Sequence, residues 1–203
     1  MRLNRACSLA LLGVLAACGR ASDDNAANGA NETVVVPGAE LNVAEAPNEA
    51  DNASVPPADQ APLDEMAGVR IGKTVAQLRA AGINATKDAS PMPGSTCGYA
   101  RIPALKDMFF MLDGDTVVRI DVAAPGHPTR GGVEVGMSED EALKRLGPAA
   151  KVQPHPYTGP EGHYLVLHQP KSPLGLIVET DGKKVVNYRI GRWEQVQWIE
   201  GCS

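Results

Sequence analysis

"GVEVGMSEDEALKRLG" (132–147) decides how the rest of the chain is read, because "GVRIGKTVAQLRAAG" (68–82) repeats its plan. Each begins with a short alternating pattern, passes a Gly and then meets a hydroxyl residue that opens a helix. Thr74-x-x-Gln77 and Ser138-x-x-Glu141 have the spacing of a capping box. There the hydroxyl and the side chain three residues on satisfy helix N–H groups reciprocally. Val75 and Leu78 supply one apolar face, and Ala142, Leu143 and Leu146 the other. Gly82 and Gly147-Pro148 end the helices. Glu139, Asp140 and Glu141 fall in a first turn, where acids complement the helix dipole.

The segments downstream of the two helices also match. "CGYARIPALKDMFFMLDGDTVVRIDV" (97–122) parallels "GHYLVLHQPKSPLGLIVETDGKKVVNYRI" (162–190). Asp113-Gly114 and Asp181-Gly182 sit between β-rich runs, a strong hairpin signal. Val118/Ile120/Val122 and Val186/Tyr188/Ile190 alternate inward, with Arg119/Asp121 and Asn187/Arg189 outward. The expectation is an α+β domain over 67–203, made of two repeats (68–122 and 132–190). Each repeat is a short helix plus a three-stranded antiparallel meander, and the two share one sheet. "WEQVQWIEGC" (193–202) reads as an added C-terminal strand.

The two ends of the chain differ sharply. Met1 to Arg5 carries two arginines and no acid, and Leu9 to Val14 is apolar apart from one Gly. That is a signal peptide over 1–17, too short for a span of about 20 apolar residues. Residues 19–66 hold ten acids against one base and no aromatic residue. Such a segment cannot bury enough apolar surface to offset its ordering entropy, so 18–66 reads as a disordered acidic linker headed by Cys18. "TVVVP" (33–37) is its one apolar cluster. Residues 67–203 hold 16 Lys/Arg and 14 Asp/Glu, close to neutral, which argues against a nucleic-acid partner.

Leu15-Ala16-Ala17-Cys18 resembles the lipobox of bacterial lipoproteins. The resemblance implies diacylglyceryl transfer to the Cys18 sulfur, cleavage before it and N-acylation, with palmitate-type chains holding the protein to the membrane. Gly19, rather than Asp, after the anchor implies an outer-membrane address facing the periplasm. Cys7 leaves with the signal and Cys18 is the anchor, so Cys97 and Cys202 remain. In an oxidising compartment a Cys97–Cys202 disulfide is the default, and two thiols with a redox role are the alternative. Gly136-Met137-Ser138…Leu146-Gly147 with a meander after it is similar to the β-lactamase-inhibitor-protein-like fold and to the small lipoprotein of the barrel-assembly machinery. Gly72-Lys73-Thr74 fits the pattern with Lys in place of Met. The chain also resembles uncharacterised envelope lipoproteins of alphaproteobacteria that end in a Trp-rich segment and Glu-Gly-Cys. These resemblances carry no functional residues across. They imply a binding module rather than an enzyme.

Signals of chemistry are weak. His155, His163 and His168 lack any metal-site spacing, and His163 and His168 fall on opposite faces of a strand. No nucleophile elbow or phosphate loop occurs, and Ser138 is accounted for as a helix cap. No cofactor or catalytic residue is assigned. Tyr157, in the Pro/Gly-braced "PHPYTGPEG" (154–162), and Trp193 and Trp198, of opposite strand parity, are the candidate contacts for an envelope protein or cell-wall component. The competing reading is a metal-dependent protein or enzyme using His155, His163 and His168. An inhibitor of a secreted hydrolase is a variant of the first.

Overall fold

The computed structural model describes residue 56 and residues 58–203. The signal peptide, Cys18 and most of the acidic linker lie outside the described residues. Within them the chain runs β1 (Glu65–Met66), β2 (Val69–Arg70), α1 (Val75–Ala80), β3 (Thr86–Lys87) and β4 (Cys97–Arg101). A 3-10 turn over Pro103–Leu105 leads to β5 (Met108–Asp113), β6 (Thr116–Val122), α2 (Glu139–Leu146) and β7 (Lys151–Pro154). Then come β8 (His163–His168), β9 (Leu174–Thr180), β10 (Val185–Arg192) and α3 (Trp193–Val196). β1 and β2 form a small hairpin; the other eight strands form one antiparallel sheet in the order β3-β4-β5-β6-β10-β9-β8-β7.

The expected α+β class, with two helix-plus-three-strand repeats, is therefore corrected. The described residues are mostly β, built around one continuous eight-stranded sheet with three helices of six, eight and four residues. The physical reason lies at the edges. β3 and β7 read "TK" and "KVQP", are wholly exposed and carry no apolar alternation, so nothing in their sequence marks them as strands. The expected C-terminal strand over 193–202 is corrected as well. Trp193–Val196 form a helical turn, and the rest of the segment crosses the sheet face instead of joining its ladder.

One face of the sheet carries the main core. Met108, Phe110 and Leu112 of β5, Ile120 and Val122 of β6, Tyr188 and Ile190 of β10, Leu176 and Val178 of β9, and Leu165 and Leu167 of β8 all point there. Val75 and Leu78 of α1, and Ala142 and Leu146 of α2, pack onto them. Thr74 completes its capping box with Gln77. Ser138 caps Glu141 N–H, but the Glu141 carboxylate accepts from Arg145 instead of reaching back. The inward alternation expected for Val186 fails at a bulge between Val185 and Asn187, which buries Val185 and leaves Val186 exposed. Packing also begins upstream of residue 67. Ala58, Ala61, Leu63 and Met66 are buried, and Ala58 N–H donates to the Arg145 carbonyl. This part of the stretch read as linker packs in the domain because its few apolar residues fall where the core needs them. A Cβ on Gly131 would lie 2.3 Å from Ala58 Cα, so Gly131 gives the segment its seat.

Candidate functional site

The second face of the sheet is where polar chemistry collects. Arg119 and Asp121 of β6, Arg189 of β10 and Glu179 of β9 share this face by register. Alternation alone marks Arg119, Asp121 and Arg189 as solvent-facing. The structure corrects this: Arg119 is 5% and Arg189 2% exposed, because residues 193–202 lie across them. The Arg119 guanidinium pairs with Asp121 and donates to the carbonyls of Gln195 and Trp198. Arg189 pairs with Glu179 and donates from Nε to the Val196 carbonyl. Two sheet arginines thus donate to carbonyls at the end of α3, in charge-assisted bonds. Burial raises the proton affinity of Asp121 against the pull of Arg119 and Arg189. Burial acts the same way on Glu179, but Arg189, Asn187 and His155 outweigh it and hold the carboxyl below its ordinary value.

Cys97 and Cys202 form a disulfide that fastens the end of this segment to β4. Tyr99 OH receives Cys202 N–H, and a Cβ on Gly201 would lie 2.2 Å from that oxygen, so only glycine passes there. The segment packs in two patches separate from the main core: Val196 and Trp193 on Tyr164, Val166 and Ile177, and Cys202 on Met111 and Val118.

Beside the disulfide is an open groove of about 590 Å3, lined by Met92, Cys97, Tyr157, Trp198, Ile199, Glu200 and Cys202 among others. Met92, Tyr157, Trp198 and Ile199 are four of the seven large apolar side chains exposed among the described residues, so exposed apolar surface is concentrated here. The Tyr157 hydroxyl donates to Glu200, which ties the loop tip to the groove wall and raises the phenol's proton affinity. Tyr157 and Trp198 therefore meet in one place. Trp193 does not: it lies half-buried, stacked on His168 with ring centroids 4.1 Å apart, over Gly175. Met92, Ile199 and Glu200 are additions that the sequence did not mark, because each sits in a loop or turn without periodicity.

The three histidines are dispersed. His155 accepts from Tyr157 and Thr158 N–H at Nδ1, which leaves the proton on Nε2, 3.6 Å from Glu179. His163 contacts both Glu139 oxygens from the other face of the sheet, and Thr180 donates to the same carboxylate. His168 holds the Ser172 carbonyl and the Trp193 ring. No cluster of three metal-ligating side chains occurs among the described residues. A second cleft, about 750 Å3, lies over Phe109 and Asp121 with the Asp88–Arg101 pair beside it.

The chain matches no known protein family, no curated protein and no solved structure. The site's two parts are a closed polar layer that grips a strap and an open apolar groove that the strap helps to build. Among the described residues no helix is long and apolar enough to cross a membrane.

Proposed function

We propose that this protein is a non-catalytic, lipid-anchored lipoprotein of the bacterial envelope whose domain captures a partner in the groove around Tyr157, Trp198 and Ile199. The observation that carries the reading is the convergence of exposed Met92, Tyr157, Trp198 and Ile199 on one groove. Aromatic and aliphatic side chains held by a disulfide and a tyrosine–carboxylate bond lose little entropy on binding, as an interface anchor requires. The lining favours a protein segment with one or two apolar anchors over a cell-wall component, since Glu200 is the one charged side chain in the groove wall. Leu15-Ala16-Ala17-Cys18 supports the anchor and Gly19 the outer-membrane address.

Photo-crosslinkers placed at 157 and 198 in cells, with half-buried 193 as the control outside it, test the groove. The expectation is one discrete protein adduct from 157 and 198 and none from 193, abolished by Ile199→Asp without a change in thermal stability. Adducts that survive Ile199→Asp, or carry glycan instead of protein, overturn it. The anchor has its own test. Cys18→Ala should remove metabolic labelling by a fatty-acid analogue and leave a precursor that retains its signal; equal labelling of both proteins defeats the reading.

A further inference from the structure

We infer that residues 193–203 form a redox-released strap, and that the Cys97–Cys202 bond is its clasp, open to exchange with a thiol that enters the adjoining groove. Cys202 is buried on Met111 and Val118, but Cys97 is half-buried and lies in the wall of the open groove, so the Cys97 sulfur is the one an incoming thiol meets. The strap's apolar contacts form two small patches, each divided from the main core by the thickness of the sheet. No strand pairing holds it, because residues 193–203 add nothing to the ladder. The charges beneath it stay compensated when it lifts: Arg119 keeps Asp121 and Arg189 keeps Glu179, both within the sheet.

Those retained pairs decide the energetics. Lifting the strap breaks neither pair and leaves no buried charge without its partner, so opening costs the arginine–carbonyl bonds and not the ion pairs. Tyr164 OH, Arg189 Nη2 and Gln195 Oε1 also find no partner among the described residues, and opening gives each of them solvent. What closes the strap is then the three arginine–carbonyl bonds, the hydrogen bonds of Glu200 with Tyr157 and of Cys202 with Tyr99, the Trp193–His168 stack, the two patches and the covalent clasp. The clasp raises the effective concentration of the rest. Removing it turns the strap into a segment that opens below the global unfolding free energy.

The exchange balances with a dithiol as reductant. Its thiolate bonds to one sulfur of the clasp, the Cys97–Cys202 bond breaks, and the other cysteine leaves as a thiolate and takes up a proton. The second thiol of the reductant then bonds to the first reductant sulfur, which breaks the mixed disulfide and expels the remaining cysteine as a thiolate that takes up a proton. Both cysteines end reduced, and the reductant departs as a disulfide with two electrons fewer. Trp198, Ile199 and Glu200 travel with the strap, so the groove comes apart when it opens. That consequence for partner capture rests on the reading proposed above; the release of the strap does not.

Both tryptophans of the chain lie in the strap, which makes it visible. The full chain is compared oxidised and in dithiothreitol, with the Cys97→Ser/Cys202→Ser double variant as a second route to the open state. Reduction should shift tryptophan emission to the red and speed trypsin cleavage after Arg192 roughly tenfold. Far-UV dichroism and the slow amide exchange of β5, β6, β9 and β10 should stay unchanged. Emission and cleavage that do not change show that the arginines hold the strap alone, and overturn the proposal. Loss of dichroism together with the emission shift shows a bond that holds the whole domain, and overturns it equally. If the strap opens and partner capture persists, the release stands and the groove reading fails.

Discussion

Asp121 and Glu179 each face an arginine on the same side of the sheet, yet burial and pairing leave them displaced in opposite directions. Asp121 is raised, so between its folded value and the ordinary carboxylate range near 4 the native state holds the extra proton, and stability rises as pH falls. Glu179 is lowered, so its contribution is full above about pH 4.3 and is lost as pH falls through its depressed folded value. Denaturation at a series of pH values should therefore show a shallow gain in mild acid and a decline below about pH 4. Asp121→Asn should flatten the gain and Glu179→Gln the decline; a profile indifferent to both substitutions removes these residues from the account. At Gly175 the constraint is steric. A Cβ there would lie 2.5 Å from the Trp193 ring, so Gly175→Ala should push Trp193 off His168 and change its emission with little loss of sheet signal. The sequence marks the polar residues of this layer by alternation. It holds no sign that they are buried, because the cover comes from the far end of the chain.

At the scale of elements, the helices are legible because their signals are local. Thr74 with Gln77 and Ser138 with Glu141 cap α1 and α2 within four residues of sequence. Thr74→Ala should lower stability by about 1 kcal/mol, and Ser138→Ala by a comparable amount, read by urea denaturation. The inner strands are legible for the same reason: Met108, Phe110 and Leu112 alternate in plain view, and Asp113-Gly114 turns the hairpin. β3 and β7 are not, since an exposed edge asks nothing of its side chains. The 193–202 segment misleads for a further reason. Its β-prone Trp193 and Val196 pack onto a face instead of into a ladder, and the arginine contacts and the disulfide that hold it there come from distant parts of the chain. Of the candidate contacts, Tyr157 and Trp198 reach the groove, while Trp193 is misplaced by the strand reading that alternation invites.

For the whole molecule, β6 and β10 form the seam where the β3–β6 half meets the β7–β10 half, over four paired residues. The disulfide closes a separation of 105 residues and so spans that seam from β4 to the end of the chain. Cys97→Ser and Cys202→Ser should each lower stability by about 2–5 kcal/mol, and the double variant should be little worse, since a single bond is lost in every case. Clearly unequal single variants would point to a separate role for one sulfur. The wide sheet also has two outer borders, and β7 shows how one of them is guarded. His155 N–H donates inward to Gly162, so by alternation Val152 and Pro154 turn their backbone outward, and Pro154 has no N–H to offer. Val152 is left as the one outward donor on that border. A neighbouring copy approaching side-on meets the carbonyls of Val152 and Pro154 but a single N–H, so the reciprocal ladder of an added strand cannot form. Under the proposed lipid anchor, where neighbouring copies meet often and cannot be diluted away, that missing hydrogen is a barrier on the β7 border to sheets stacking edge to edge.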